Sequence, residues 1–290
     1  MALFGRHTKR LPRSSDHFLK KSKIPGVTLC HPKHKSRKTK TCLSQDNITK
    51  IAKSVGQTGS RKNLEARLNC EAGDELCLVN KSNLSNDEKR DIEKKEFRTI
   101  MPNEWIDNIN TWLSDEDIRN VMGQYEEAYP EFKFLEVAPI DFSAQDPYVK
   151  DQKKCIAESF CKVDFKALKA AGKKYLGAVF NLDPSYKGGS HWVAIFINIP
   201  KKEVNYFDSY GFPPPKQIEH FMKSLTLQDK SLKLQSNGRR FQYKGSECGM
   251  YSMIFIISML TGDSFKHFCK NPISDNEAQR FRDFLTIRTA

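Results

Sequence analysis

The stretch GSECGMYSMIFIISML (245–260) constrains the fold more than any other part of the chain. Its last eleven residues, Met250–Leu260, are mostly apolar. Apolar side chains around the whole circumference, instead of along one stripe, predict a helix buried on all sides at the centre of a domain. The run is too short to span a bilayer, which needs about 20 residues. Immediately ahead of it, Cys248 stands between Glu247 and Gly249. A cysteine there is either a core thiol beside a loop or a nucleophile at a helix N-terminus, where unpaired N–H groups favour negative charge.

The chain has 290 residues, enough for one sizeable domain plus an extension, and its 38% hydrophobic content with 19 Phe can fill a core. The formal charge of +13 is concentrated: residues 1–40 carry 12 Lys/Arg against the single acid Asp16. Such an arm suits either contact with nucleic acid or a nuclear-import element, or it is a solvated tail. HPKHKSRKTK (31–40) has too little apolar surface to offset its ordering entropy, so the arm is expected to be flexible. The first residues lack the apolar core of a secretory signal, so no secretion is expected. Eight cysteines without such a signal predict reduced thiols and not a disulfide framework. Successive spacings of 12, 28 and 7 among Cys30, Cys42, Cys70 and Cys77 fit no structural zinc pattern, even with His31 and His34 nearby.

Residues 41–96 read as a small helical module followed by a charged linker or exposed helix. Leu43, Ile48 and Ile51 mark one face, Leu64 and Leu68 another, and Ser44 or Asp46 suits the first N-cap. From Phe97 to the end of the sequence the texture is that of a globular domain. Ser114 followed by Asp115, Glu116 and Asp117 suits a helix start within the amphipathic stretch 103–129. HWVAIFINI (191–199) and EVNYFDSY (203–210) predict a hairpin turning at Pro200–Lys202. GRRFQYK (238–244) is a further strand candidate, and residues 275–285 form a last amphipathic helix.

These segments deliver four groups with complementary chemistry. In an antiparallel hairpin, His191 at the start of one strand neighbours Asp208 near the end of the next, so the carboxylate can orient the imidazole toward a nucleophile. Cys248 supplies that nucleophile, and Gly249 removes a side chain from the face a carbonyl must approach. The Cys248 N–H and the Gln242 amide can together hold a developing oxyanion. The competing readings are a core cysteine, a structural histidine and a turn-forming aspartate.

The order His191-Trp192, then Asp208 seventeen residues on, then Gln242 and Cys248-Gly249, resembles the ubiquitin-like-protein (SUMO) protease family. Adenain and the maturation proteases of large DNA viruses belong to the same group. TWLSDEDI (111–118) resembles that family's WLND-type helix start, and the resemblance spans residues 97–290. It implies catalytic roles for His191, Asp208 and Cys248, with Gln242 at the oxyanion. It further implies that Trp112 and Trp192 flank a channel admitting only a Gly-Gly-type segment. Asp115 either contacts substrate or caps its helix. More weakly, residues 42–79 resemble the leading module on such proteases of large DNA viruses. Glu247 departs from the Asp usual in cellular members.

The expectation is an α+β papain-like fold with the permuted order His-Asp-Gln-Cys and a mixed central sheet flanked by helices. A basic arm (1–40) and a small helical module (41–96) precede the catalytic domain (97–290). The implied enzyme is a cysteine endopeptidase acting on protein substrates at Gly-Gly-like sites in viral structural precursors. Its expected place is the virion or an intracellular assembly site, and its chemistry needs no metal or cofactor. One alternative is a deconjugase of ubiquitin-like proteins. Another, of a different class, is a nucleic-acid-binding packaging protein in which the protease fold is incidental. The arm would then supply DNA contact, and no membrane is involved.

Overall fold

The computed structural model describes residues 29–36, 41–58, 60–147 and 154–288. In chain order its helices and strands are α1 (Gln45–Ser54), α2 (Arg61–Arg67), α3 (Glu75–Lys81), α4 (Asn86–Glu96), β1 (Thr99–Ile100), α5 (Asn103–Asp107), α6 (Asp115–Ala128) and β2 (Phe132–Pro139). They continue with α7 (Glu158–Cys161), α8 (Phe165–Ala170), β3 (Tyr175–Asn181), β4 (Trp192–Asn198), β5 (Glu203–Phe207), α9 (Lys216–Gln228) and β6 (Lys233–Ser236). The last four are α10 (Cys248–Leu260), α11 (Phe265–Lys270), α12 (Asp275–Leu285) and β7 (Thr286–Ile287).

A five-stranded mixed sheet in the order β2-β3-β4-β5-β6 forms the centre. β3–β4 and β4–β5 pair antiparallel, while the edge strands β2 and β6 run parallel to their neighbours. Strand alternation divides β4 between two cores. Trp192, Ala194 and Phe196 face α10, α6 and α12, whereas Val193, Ile195 and Ile197 face α9 and the loops before β3. Every residue of α10 is buried, as its all-round apolarity requires. Ser114 and Asp117 form a reciprocal capping box at α6, and Ser274 and Glu277 do the same at α12.

The module has its own core, in which Leu43, Ile48, Ile51, Leu64 and Leu78 gather with Phe97. Ile287 joins them because β7 pairs in parallel with β1. Ser44, not Asp46, caps α1. The charged stretch before the catalytic domain is the helix α4, started by a Ser85–Glu88 capping box.

Three expectations need correction. The cysteines do form disulfides: Cys30–Cys42, Cys70–Cys77 and Cys155–Cys161. The partners are only 12, 7 and 6 residues apart in the chain, and the paired Cα atoms lie at 4.9, 5.8 and 6.5 Å. Part of the basic arm is packed, because Cys30 is bonded to Cys42 and bridges Phe97, and His31 and His34 are buried. Polar contacts accompany that burial: His34 Nε2 lies 2.6 Å from Glu96 and His31 Nε2 lies 3.4 Å from Glu127, while burial lowers the His31 pKa to about 3 and so keeps that ring neutral. The rest of the arm, residues 1–28 and 37–40, lies outside the described residues. Finally, residues 238–244 are a loop and not a strand. The N–H groups of Phe241 and Gln242 both donate to the Ser209 carbonyl, and those of Tyr243 and Lys244 donate to the Asp275 carboxylate. None of the four is left to pair in a ladder.

Gly177 in β3 supplies a test of the packing between sheet and helix. A Cβ there would lie 2.8 Å from Cζ of the fully buried Phe132 and 3.2 Å from the Ile256 side chain. Gly177→Ala is expected to destabilise the chain by about 1–3 kcal/mol through overpacking. The check is the denaturant midpoint at unchanged slope.

Candidate active site

The hairpin brings the first two chemical groups together. Its register pairs Ala194 with Phe207, which continued outward sets Asp208 opposite Val193 and on the diagonal to His191, two residues earlier on the same face. His191 Nε2 donates to Asp208 Oδ1 at 2.7 Å. That oxygen also accepts the Tyr210 N–H at 2.8 Å. Asn237 locks the Asp208 backbone, accepting from its N–H and donating to its carbonyl at 2.9 and 2.7 Å. With Nε2 engaged by Asp208, Nδ1 is the ring nitrogen left for a nucleophile. Burial alone would lower the imidazole's pKa. Asp208 and Cys248 outweigh it and raise the value to about 9.

Cys248 is the first residue of α10 and is buried. Its own N–H belongs to the first turn, which has no intrahelical acceptor. Gln242 is fully buried with its amide held from both sides. The Ser209 hydroxyl donates to Oε1 at 2.6 Å, and Nε2 donates to the Lys244 carbonyl at 2.9 Å. This fixes which end of the amide is the donor and leaves its second N–H uncommitted.

The structure also joins the two tryptophan segments. Trp192 is buried, and its indole N–H donates to the Leu113 carbonyl at 3.0 Å, next to the half-exposed Trp112. Gly249 fits beneath them: a Cβ there would lie 3.1 Å from Leu113 and 3.2 Å from Trp192. Its missing side chain therefore serves close packing of α10 against this corner, a reason additional to substrate access. Asp115 is exposed and pairs with Arg119 at 3.0 Å. The cap is Ser114, so of the two readings of Asp115 the capping role falls to its neighbours.

Several supporting residues escaped the sequence reading. Tyr210 stacks on His191 at 4.7 Å between ring centroids, and burial followed by the nearby Cys248 pushes its phenol up. Arg240 lies over the Tyr210 and Tyr243 rings. Arg282 has no solvent exposure; it donates through Nε to Gln279 and through Nη2 to the Thr111 carbonyl at 2.6 Å, and stacks on Trp105. Gln279 in turn donates to Glu247 at 2.8 Å. The placement of Tyr210 directly after Asp208-Ser209 was the available signal. Nothing local in the sequence marks Arg282.

Comparison with known proteins decides what this arrangement is. Residues 148–288 match the Ulp1 protease family, C-terminal catalytic domain. These residues form a cysteine-protease domain of the Ulp1 family. A putative thiol protease of Acanthamoeba polyphaga mimivirus is 29% identical over 298 residues, covering 89% of this chain and 92% of that protein. A SUMO-1 cysteine protease of African swine fever virus is 33% identical over 130 residues, 42% of this chain and 47% of its own length. The crystal structure of an African swine fever virus protease superposes with a TM-score of 0.67 at 23% identity, over 90% of this chain and 96% of that one. That likeness establishes a shared fold, one that takes in the module as well as the protease domain.

The raised His191 value gives a prediction with a definite sign. A folded-state pKa of about 9, above the ordinary 6.5, means the charged ring is favoured by folding. The resulting stabilisation is complete below about 6.5 and is lost as pH rises through about 9. An NMR titration of the His191 Cε1–H resonance should therefore remain at its imidazolium position through neutral pH. Cys248→Ala should lower the midpoint, since one of the partners that raises it is gone.

Proposed function

We propose that this protease cleaves proteins after Gly-Gly-like segments and processes viral structural precursors at the virion or its assembly site. The observation that carries the chemistry is Cys248 at the mouth of a buried helix, near an imidazole that Asp208 already holds. Cys248 sulphur attacks the scissile carbonyl carbon, forming a C–S bond while the carbonyl π electrons move to oxygen. The Cys248 N–H and the free Gln242 N–H stabilise that oxyanion. As the C–N bond breaks, His191 gives its proton to the leaving amine. Water, deprotonated by His191, then attacks the thioester and releases the acid and the thiol.

Specificity in this reading comes from the corner where Leu113 and Trp192 pack on Gly249, with the half-exposed Trp112 next to Leu113 in the chain. The Trp192 indole has its only donor occupied by Leu113, so it presents flat apolar surface and no polar anchor. Glycine, lacking a β-carbon, suits a passage between such rings. The similar proteins of mimivirus and African swine fever virus are named as thiol or cysteine proteases, which favours a viral setting for this one. The name of the African swine fever virus relative keeps a second reading, removal of SUMO-like modifiers, in play.

Wild type and Cys248→Ala should be compared on Gly-Gly-X peptides and on ubiquitin-like fusion proteins. Peptide cleavage that falls by at least about 10³-fold in the variant is the expected result. Cleavage of the fusions alone would make the enzyme a deconjugase, and cleavage that survives in Cys248→Ala would overturn the assignment of the nucleophile.

The basic arm adds a DNA tether to this reading. Because residues 29–36 are packed on the module, the deletion that tests it is 1–28. Loss of a salt-dependent DNA mobility shift in the truncated chain is expected. A shift of equal strength without those residues would place DNA contact elsewhere.

A further inference from the structure

Gly188-Gly189 is the one place in the sequence where two glycines adjoin, and Ser190 and His191 follow directly. The pair lies in the connection from β3 to β4, whose facing ends are Asn181 and Trp192. That loop is anchored on both sides of the glycines. The Ser185 N–H and hydroxyl donate to the Asp141 carboxylate at 2.8 and 2.9 Å, and the Lys187 N–H donates to the Pro184 carbonyl at 2.9 Å. Beyond the pair, the Ser190 N–H donates to Asn181 Oδ1 at 3.1 Å. Between these anchors, Gly188 and Gly189 make no hydrogen bond among the described residues.

Exposure follows the same outline. Tyr186 is 82% exposed, Lys187, Gly188 and Ser190 are exposed, and a Cβ on Gly188 would meet nothing within 4 Å. A loop tip with unpaired backbone opens locally at little cost, which is where chains are nicked. Gly189 has a φ of +96°, and glycine moves readily from there to the extended form that a narrow channel requires.

We infer that the protease carries a cleavage site of its own at the Gly189–Ser190 bond, cut by a second copy of the enzyme. The inference rests on the Gly-Gly reading above and adds a substrate to it. Hydrolysis breaks the C–N bond and adds water across it, leaving a carboxylate on Gly189 and an amine on Ser190. Only Ser190 separates that bond from His191, whose carbonyl accepts the Leu182 N–H and whose ring is held by Asp208. One residue spans at most about 3.6 Å, too little to lead the chain away from the imidazole of the same copy, so the reaction runs between copies. The two pieces stay together, because β3 and β4 remain paired over their whole length and are packed in both cores. The new amine, with a pKa of about 8, adjoins His191 and opposes the protonated ring that expels the leaving group. Cleavage thus lowers activity without dismantling the fold.

The test offers full-length Cys248→Ala to wild type as a substrate, with a Gly-Gly-X peptide as control. Mass spectrometry and N-terminal sequencing should find a new terminus at Ser190, and peptide turnover by wild type should fall as its own nicked fraction rises. Gly188 has room for a methyl group. Gly188→Ala placed in the Cys248→Ala chain should slow the cut at least about tenfold, while Gly188→Ala in the active enzyme leaves peptide turnover unchanged. Peptide cleaved while the Cys248→Ala chain stays intact at Ser190 would overturn self-cleavage and leave the Gly-Gly reading standing. Failure to cut either would overturn both. A cut equally fast with Gly188→Ala would overturn recognition of the glycine pair, and full activity in the nicked enzyme would overturn the loss of activity.

Discussion

The buried guanidinium of Arg282 links two backbone segments that the chemistry requires and the chain places far apart. Through the Thr111 carbonyl it positions the loop that carries Trp112 and begins α6. Through Gln279 it reaches Glu247, the residue before Cys248. Burial pushes its pKa down to about 10, and the charges of Asp117 and Glu247 act against that fall, so it stays a cation at neutral pH. Asp275, at the other end of the same helix, holds the Tyr243 and Lys244 N–H groups and so the loop bearing Gln242. One C-terminal helix thus aligns the nucleophile, the oxyanion loop and the tryptophan corner.

The histidine and aspartate depend on a different device. They sit on adjacent strands of a hairpin whose interior alternates between two hydrophobic cores, so a slip of one residue would exchange the cores and separate the pair. Packing on both sides of β4 therefore fixes the register, and the register fixes the 2.7 Å contact. Tyr210 completes the setting by covering one face of the imidazole.

Much of this was legible in the sequence. The all-round apolarity after Cys248, the β-branched and aromatic run in 191–199 and the acidic helix start after Ser114 each carry their structure in a few neighbouring residues. The order of His191, Asp208, Gln242 and Cys248 carried the site. What was missed depends on long-range partners. GRRFQYK has strand composition, but Ser209 and Asp275 take its N–H groups, which only the tertiary fold reveals. His31 and His34 sit in a basic, apolar-poor run, yet they are buried where the Cys30–Cys42 bond and the Cys30–Phe97 bridge tie the segment to distant parts of the chain. The disulfides defeated an argument from cellular compartment because the three pairs are local in the chain and close by fold geometry.

The pairing of β1 with β7 brings residues 99–100 beside 286–287, so the catalytic domain is closed by its last strand. A chain leaves the ribosome N-terminus first. The module's helices and the His191–Asp208 hairpin are thus made before Cys248, and Cys248 before Asp275, Gln279, Arg282 and Ile287. The nucleophile is synthesised ahead of the groups that align it. Of the described residues, the side chains of α12 that pack around the Cys248 end of α10 are therefore among the last to be made.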